Sequence, residues 1–230
     1  MKNNSNLHPP SPQRTTAEVE HRVMDWCRWQ ASQVHGDERL ARVLQQGLAY
    51  ASTREGEQLP KKAVLLMPDD TFCWINARGL DGGSNLLTGF VRYLAVCTVA
   101  WDCPAAAILY ETWLATRPLA PGQRPSQQAE RAEAVIIYAQ GRTASPISVQ
   151  VPIVGGYTVP IPQVWSEEQS KGLGFGRFVA RCAPSDSERE AAKAVLARFG
   201  AGEGTARFEI TPQHMAQLAA YNPDAKPQNR

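Results

Sequence analysis

An α+β fold, with a mostly antiparallel sheet packed against a buried central helix, is predicted by three features of the sequence. Ala105–Ala115 and Glu133–Gln140 are apolar on both faces, as central strands are. Ser145–Val154 alternates, with Ile147, Val149, Val151 and Ile153 on one face. Residues 85–101 are apolar on nearly every side, the pattern of a helix surrounded by protein. Strands follow one another without a βαβ rhythm, which argues against a doubly wound parallel sheet.

The elements follow in order. Residues 1–14 and 222–230 are polar and proline-rich and are expected to be disordered tails. Between them, 15–221 is expected to form a single α+β domain, with an N-terminal helical hairpin at 15–52 and a sheet-containing core at 62–221. Thr15 and Glu18 form a capping box for a helix over 17–34. Asp37 caps a second helix reaching Ser52, with Leu40, Leu44, Gly47, Leu48 and Ala51 at helical spacing. Ala63–Met67 and Thr71–Ile75 flank Pro68-Asp69-Asp70 as a hairpin.

Ser84 can cap the central helix. Gly141-Arg142-Thr143 is short enough to join the last two central strands as a hairpin. Val159-Pro160-Ile161-Pro162 suits only an edge or an extended strap, because proline donates no ladder hydrogen bond. Gly174–Cys182 reads as a strand, and Ser187 with Glu190 as a capping box for a helix that Gly200 ends. Ala206–Ile210 is a short strand, and Thr211-Pro212 opens a final helix to about Tyr221.

Composition excludes several function classes. The 230 residues carry 24 Lys and Arg against 22 Asp and Glu, a net charge of +2, which argues against a dedicated nucleic-acid binder. Arg117, Arg124, Arg131 and Arg142 are the side chains that nonspecific nucleic-acid binding would use. The five cysteines form no C-x-x-C pair, and the polar start lacks an apolar signal core. Thr88, Gly89, Arg92 and Thr98 break the longest apolar run, so no membrane association is expected. Reduced thiols and a cytoplasmic location follow as expectations.

The histidines show no metal-ligand spacing, and neither a metal nor another cofactor is expected. Gly172-Leu-Gly-Phe-Gly176-Arg lacks both phosphate-loop spacings and leads into a predicted strand, so it reads as a strand entry. No nucleophile elbow is present, and no cysteine has a context that would lower its pKa.

Two regions stand out. Thr116–Arg131 joins the central strands through about 15 residues, where hairpins usually take ~2–5. With Pro118, Pro121, Gly122, Pro125 and a single large hydrophobe, Leu119, it is expected to be exposed and mobile. Arg124, Gln127 and Gln128 are its candidate binding residues. It is flanked by Glu111, Arg131 and Glu133, the candidate acid–base set, with Arg131 stabilising developing negative charge. The commoner role of such residues is an ion pair that sets strand register. Trp26 and Trp29 lie on one side of the first predicted helix and suit a protein contact or a second copy of the chain.

The apolar helix, Glu111-Thr112-Trp113, Pro125-Ser126 and Arg131-x-Glu133 leading into an apolar strand resemble small uncharacterised proteins of phages and mobile elements. The resemblance spans about residues 84–155. It implies a mobile-element context and no particular activity. The resulting expectation is a non-catalytic protein-binding accessory factor acting on a host or element protein. The rival expectation is a small hydrolase or nuclease using Glu111 and Glu133 with Arg131.

Overall fold

The computed structural model describes residues 37–77, 84–159, 163–165, 176–198 and 207–209. The predicted first and last helices, both tails, Trp26, Trp29 and the Pro160–Pro162 strap lie outside these residues. Helix α1 (Glu38–Ser52) precedes strands β1 (Lys62–Leu66) and β2 (Phe72–Asn76), helix α2 (Ser84–Ala100) and strand β3 (Ala105–Leu114). Strands β4 (Ala132–Gly141), β5 (Ile147–Val154), β6 (Tyr157–Thr158) and β7 (Gln163–Val164), helix α3 (Asp186–Arg198) and strand β8 (Arg207–Glu209) complete it.

The strands form one sheet in the order β6-β5-β4-β3-β1-β2-β8, with β7 also pairing β5. Every pairing is antiparallel except β2 with β8. β1 lies between β2 and β3 and is antiparallel to both, so α2 joins two parallel strands across it. This crossover and the return of the chain from β7 to β8 beside β2 interrupt an otherwise meandering sheet, which is why hairpin spacing dominates the sequence pattern.

Period-2 alternation divides the sheet between two cores. α1 covers one face with Leu40, Val43, Leu44 and Leu48 against Leu109, Val135, Ile137 and Val149. α2 covers the other with Phe90, Tyr93, Leu94 and Cys97 against Ile75, Ile108 and Ile136, and α3 adds Ala192 and Leu196. The central strands are therefore apolar on both faces because helices cover both.

Local chemistry fixes the element ends. Asp37 Oδ1 accepts from the Leu40 amide at 2.9 Å and caps α1. In the β1–β2 turn, Asp69 Oδ1 accepts from the Thr71 amide and hydroxyl, while Asp70 takes φ 67°. α2 ends with the Asp102 amide donating to Val99 O at 3.2 Å and the Cys103 amide to Thr98 O at 2.9 Å. That is a Schellman closure, with Asp102 at φ 54° where glycine is usual.

Two local expectations are corrected. The α3 capping box is Ser185 with Glu188 rather than Ser187 with Glu190. Glu188 Oε2 accepts from both the Ser185 amide and hydroxyl at 2.7 Å. The described part of the predicted strand at 174–182 is an irregular strap. The Phe178 and Val179 amides donate to the buried Gln140 side-chain oxygen at 2.9 and 3.2 Å, so a side chain replaces the neighbouring strand.

A candidate interaction surface at the loop end of the sheet

α1 stops at Ser52, short of the far ends of β3 and β4, so its face of the sheet needs another cover there. The chain after α1 supplies it through Arg54. The Arg54 Nε donates to Glu111 Oε1 at 3.0 Å, and its Nη1 donates to the Gly156 carbonyl in the β5–β6 turn. The Leu59 amide donates to the same Glu111 oxygen at 2.7 Å. Glu133 Oε1 lies 3.8 Å from Arg54 Nη2. The Arg54 and Glu111 side chains are 5% and 1% exposed, so this is a buried pair.

These bonds join α1, β3 and the β5–β6 turn around one charge pair. The hydrogen bond to Glu111 is the main reason the Arg54 pKa is raised above its ordinary value, against the opposing effect of burial. Glu111 also helps raise the Tyr50 hydroxyl to about 12, although burial is the larger cause.

Glu111 and Glu133 meet at Arg54, and Arg131 does not join them. Trp113 is directly opposite Glu133 in the β3–β4 register. The Arg131 guanidinium lies over the Trp113 ring, 4.3 Å from its centroid, instead of on Glu111. Acid–base work at Glu111 would need access that its packing does not give. Arg54 is the partner that sequence reading missed. It sits in the polar linker after α1, and its separation of 57 residues from Glu111 leaves no local signal.

The stacked Trp113 remains 37% exposed. Beside it, the connection from 115 to 131 is mostly exposed, as its prolines predict, and is shaped by its own side chains. The Gln128 side-chain oxygen accepts from the Thr116 amide at 3.1 Å, while its nitrogen donates to the Arg117 carbonyl at 3.1 Å. The Gln127 side-chain oxygen accepts from the Arg124 amide at 2.8 Å, within a single 3₁₀ turn at Pro125–Gln127. Thr116 Oγ donates to the Glu130 carbonyl, and Arg117 pairs with Glu130. Arg131 Nη1 donates to Ser126 O at 3.2 Å, linking the loop to the stacked pair.

Gln127 and Gln128 thus serve the loop's own backbone. The Arg124 guanidinium has no partner among the described residues. At the same end of the sheet, the β5–β6 hairpin leaves Val154 and Tyr157 exposed on the α2 side. Arg142 lies at the opposite end, on Asp102, so the four arginines considered for nucleic acid do not form one patch.

No three of His, Cys, Asp and Glu come together as a metal site among the described residues. No described helix is long and apolar enough to cross a membrane. Cys73, Cys97, Cys103 and Cys182 form no disulfide. Comparison with protein-family models, curated proteins and solved structures finds no match.

Proposed function

We propose that the chain is a non-catalytic protein-binding module that engages its partner through the Trp113–Arg131 stack and the adjoining loop. The observation that carries this reading is a tryptophan left 37% exposed under a guanidinium, next to a loop whose shape is set by its own hydrogen bonds. Tryptophan and arginine are the commonest interface anchors, and a preshaped loop loses less entropy on binding. An exposed stack of this kind is worth about 0.5–1 kcal/mol by itself, and more when a partner desolvates it. A phage or mobile-element accessory role in a reducing cytoplasm rests on the resemblance over residues 84–155 and on the thiol content.

The test places a photo-crosslinking residue at Leu119 in producing cells. One discrete adduct is expected. It should disappear in Trp113→Ala and Arg131→Ala variants that melt as the wild type does. Adducts unchanged in both variants would overturn the reading, as would no adduct at all.

A further inference from the structure

We propose that two copies of this chain meet face to face on the α2 side of the sheet, at its loop end. Leu114 is opposite Ala132, and Val154 is opposite Tyr157. The Glu133–Ile153 pair sets Ala132 beside Val154, so these four apolar residues form one row across β3, β4, β5 and β6. Pro152 follows in the next row, on the same side as Val154. The core contacts of α2 fall on Ile75, Ile108 and Ile136, so the outer end of the row lies beyond the helix. Val154 and Tyr157 are 67% and 60% exposed, the most exposed large hydrophobic side chains among the described residues.

The hairpin that carries them is held in place. Gly155 and Gly156 turn it at φ 61° and 89°, a region that favours glycine. The Gly156 carbonyl accepts from the Gly56 amide at 3.0 Å and from Arg54 Nη1, and Glu55 bridges to Tyr157. The Val159 amide donates to Pro152 O at 2.8 Å and ties down the outgoing strand. A surface fixed in this way loses little entropy on contact.

Charge decides what covers it. Residues 143–166 carry no charged side chain. Close to a two-fold axis each residue meets its own counterpart or a near neighbour, so a charge there faces its like. A face without charge is one that a second copy can cover. The net charge of +2 adds little long-range repulsion between copies. An axis between Val154 and Tyr157 sets the tyrosine of each copy over the valine of the other. Glu55, which borders Tyr157, then lies about three strand spacings, ~14 Å, from its counterpart. Trp113 alternates with Leu109 on the α1 side, so this contact is separate from the surface proposed for the partner.

The test is sedimentation velocity on the full chain from low micromolar to millimolar concentration. A reversible monomer–dimer equilibrium is expected. Val154→Glu and Tyr157→Lys should each weaken it about tenfold or more. The melting temperature, taken where the wild type is monomeric, should not fall, because both side chains are exposed. Mixed together, the two variants should associate again, since opposite charges then face one another across the axis. Trp113→Ala should leave the equilibrium unchanged.

A wild-type chain that stays monomeric throughout would overturn the proposal and leave the face to a different protein. Variants that dimerise as the wild type does would also overturn it. So would a mixture that fails to associate, or loss of the dimer in Trp113→Ala.

Discussion

At the scale of single residues, the Arg54–Glu111 pair and Gly47 make opposite demands on the fold. Glu111→Gln keeps the side-chain shape but leaves the buried Arg54 charge with only the partly exposed Glu133, 3.8 Å away. Breaking one partner of such a pair costs roughly 3–5 kcal/mol. Urea unfolding is expected to show a loss of that order, and a loss below about 1 kcal/mol would refute the buried-charge account. Glu133→Gln should cost far less, because that side chain is partly exposed and only grazes Arg54. Gly47 lies mid-helix, where alanine would ordinarily gain about 1 kcal/mol. A Cβ there would sit 2.8 Å from Ile137 Cγ2, on a side chain with no room to retreat. Gly47→Ala is therefore expected to destabilise by about 1–3 kcal/mol, measured by the same unfolding. A gain in stability would show that α1 can lift from the sheet.

At the scale of elements, α3 has an acid-sensitive start. The Ser185 hydroxyl and amide hold the Glu188 carboxyl below its ordinary pKa. A carboxylate whose folded pKa is lowered contributes stability above its unfolded pKa and loses it as pH falls through the folded value. Hydrogen exchange from the first turn of α3 should therefore quicken, relative to its intrinsic rate, as pH drops below the ordinary glutamate range. Ser185→Ala should weaken that dependence, because only the amide's bond to Glu188 remains. An unchanged pH response in the variant would place the sensitivity elsewhere.

The loop offers a second test at this scale. Replacing Gln123–Gln128 with a short Gly/Ser linker removes bonds that the loop makes mainly to itself. The melting temperature should barely move while the Leu119 crosslink is lost. A replacement that unfolds the protein would make the loop a structural strap. The loop's exposure was legible from its prolines and its single large hydrophobe. The role of its glutamines was not, because side-chain bonds to nearby backbone depend on the turn that forms.

At the scale of the whole molecule, the two-faced burial of the sheet governs thiol chemistry. Cys73, Cys97 and Cys103 lie in the α2-side core, and burial pushes each thiol pKa up. Only the thiolate reacts readily. Alkylation mapped by mass spectrometry should label Cys182 in the native protein and these three only after unfolding. Labelling of Cys97 at the rate of Cys182 would mean that the core opens without global unfolding.

The sequence by itself determined the secondary structure around α1, the β1–β2 hairpin, α2 and the three long strands, together with the two-sided burial of the sheet. Those features are written in periodicity, capping residues and turns, which act within a few positions. Tertiary structure decided which charges meet. Glu111 finds Arg54 because α1 ends short of the sheet, a relation between an element's length and its neighbour's that no local pattern records. Asp102 stands at a positive-φ helix end usually given to glycine, where its carboxylate holds Arg142 and Arg189. Gln140 turns a predicted strand into a strap by capturing two amides that a neighbouring strand would otherwise have held. Spacing along the chain sets backbone form, whereas long-range pairing of polar groups depends on which surfaces the packed elements leave uncovered.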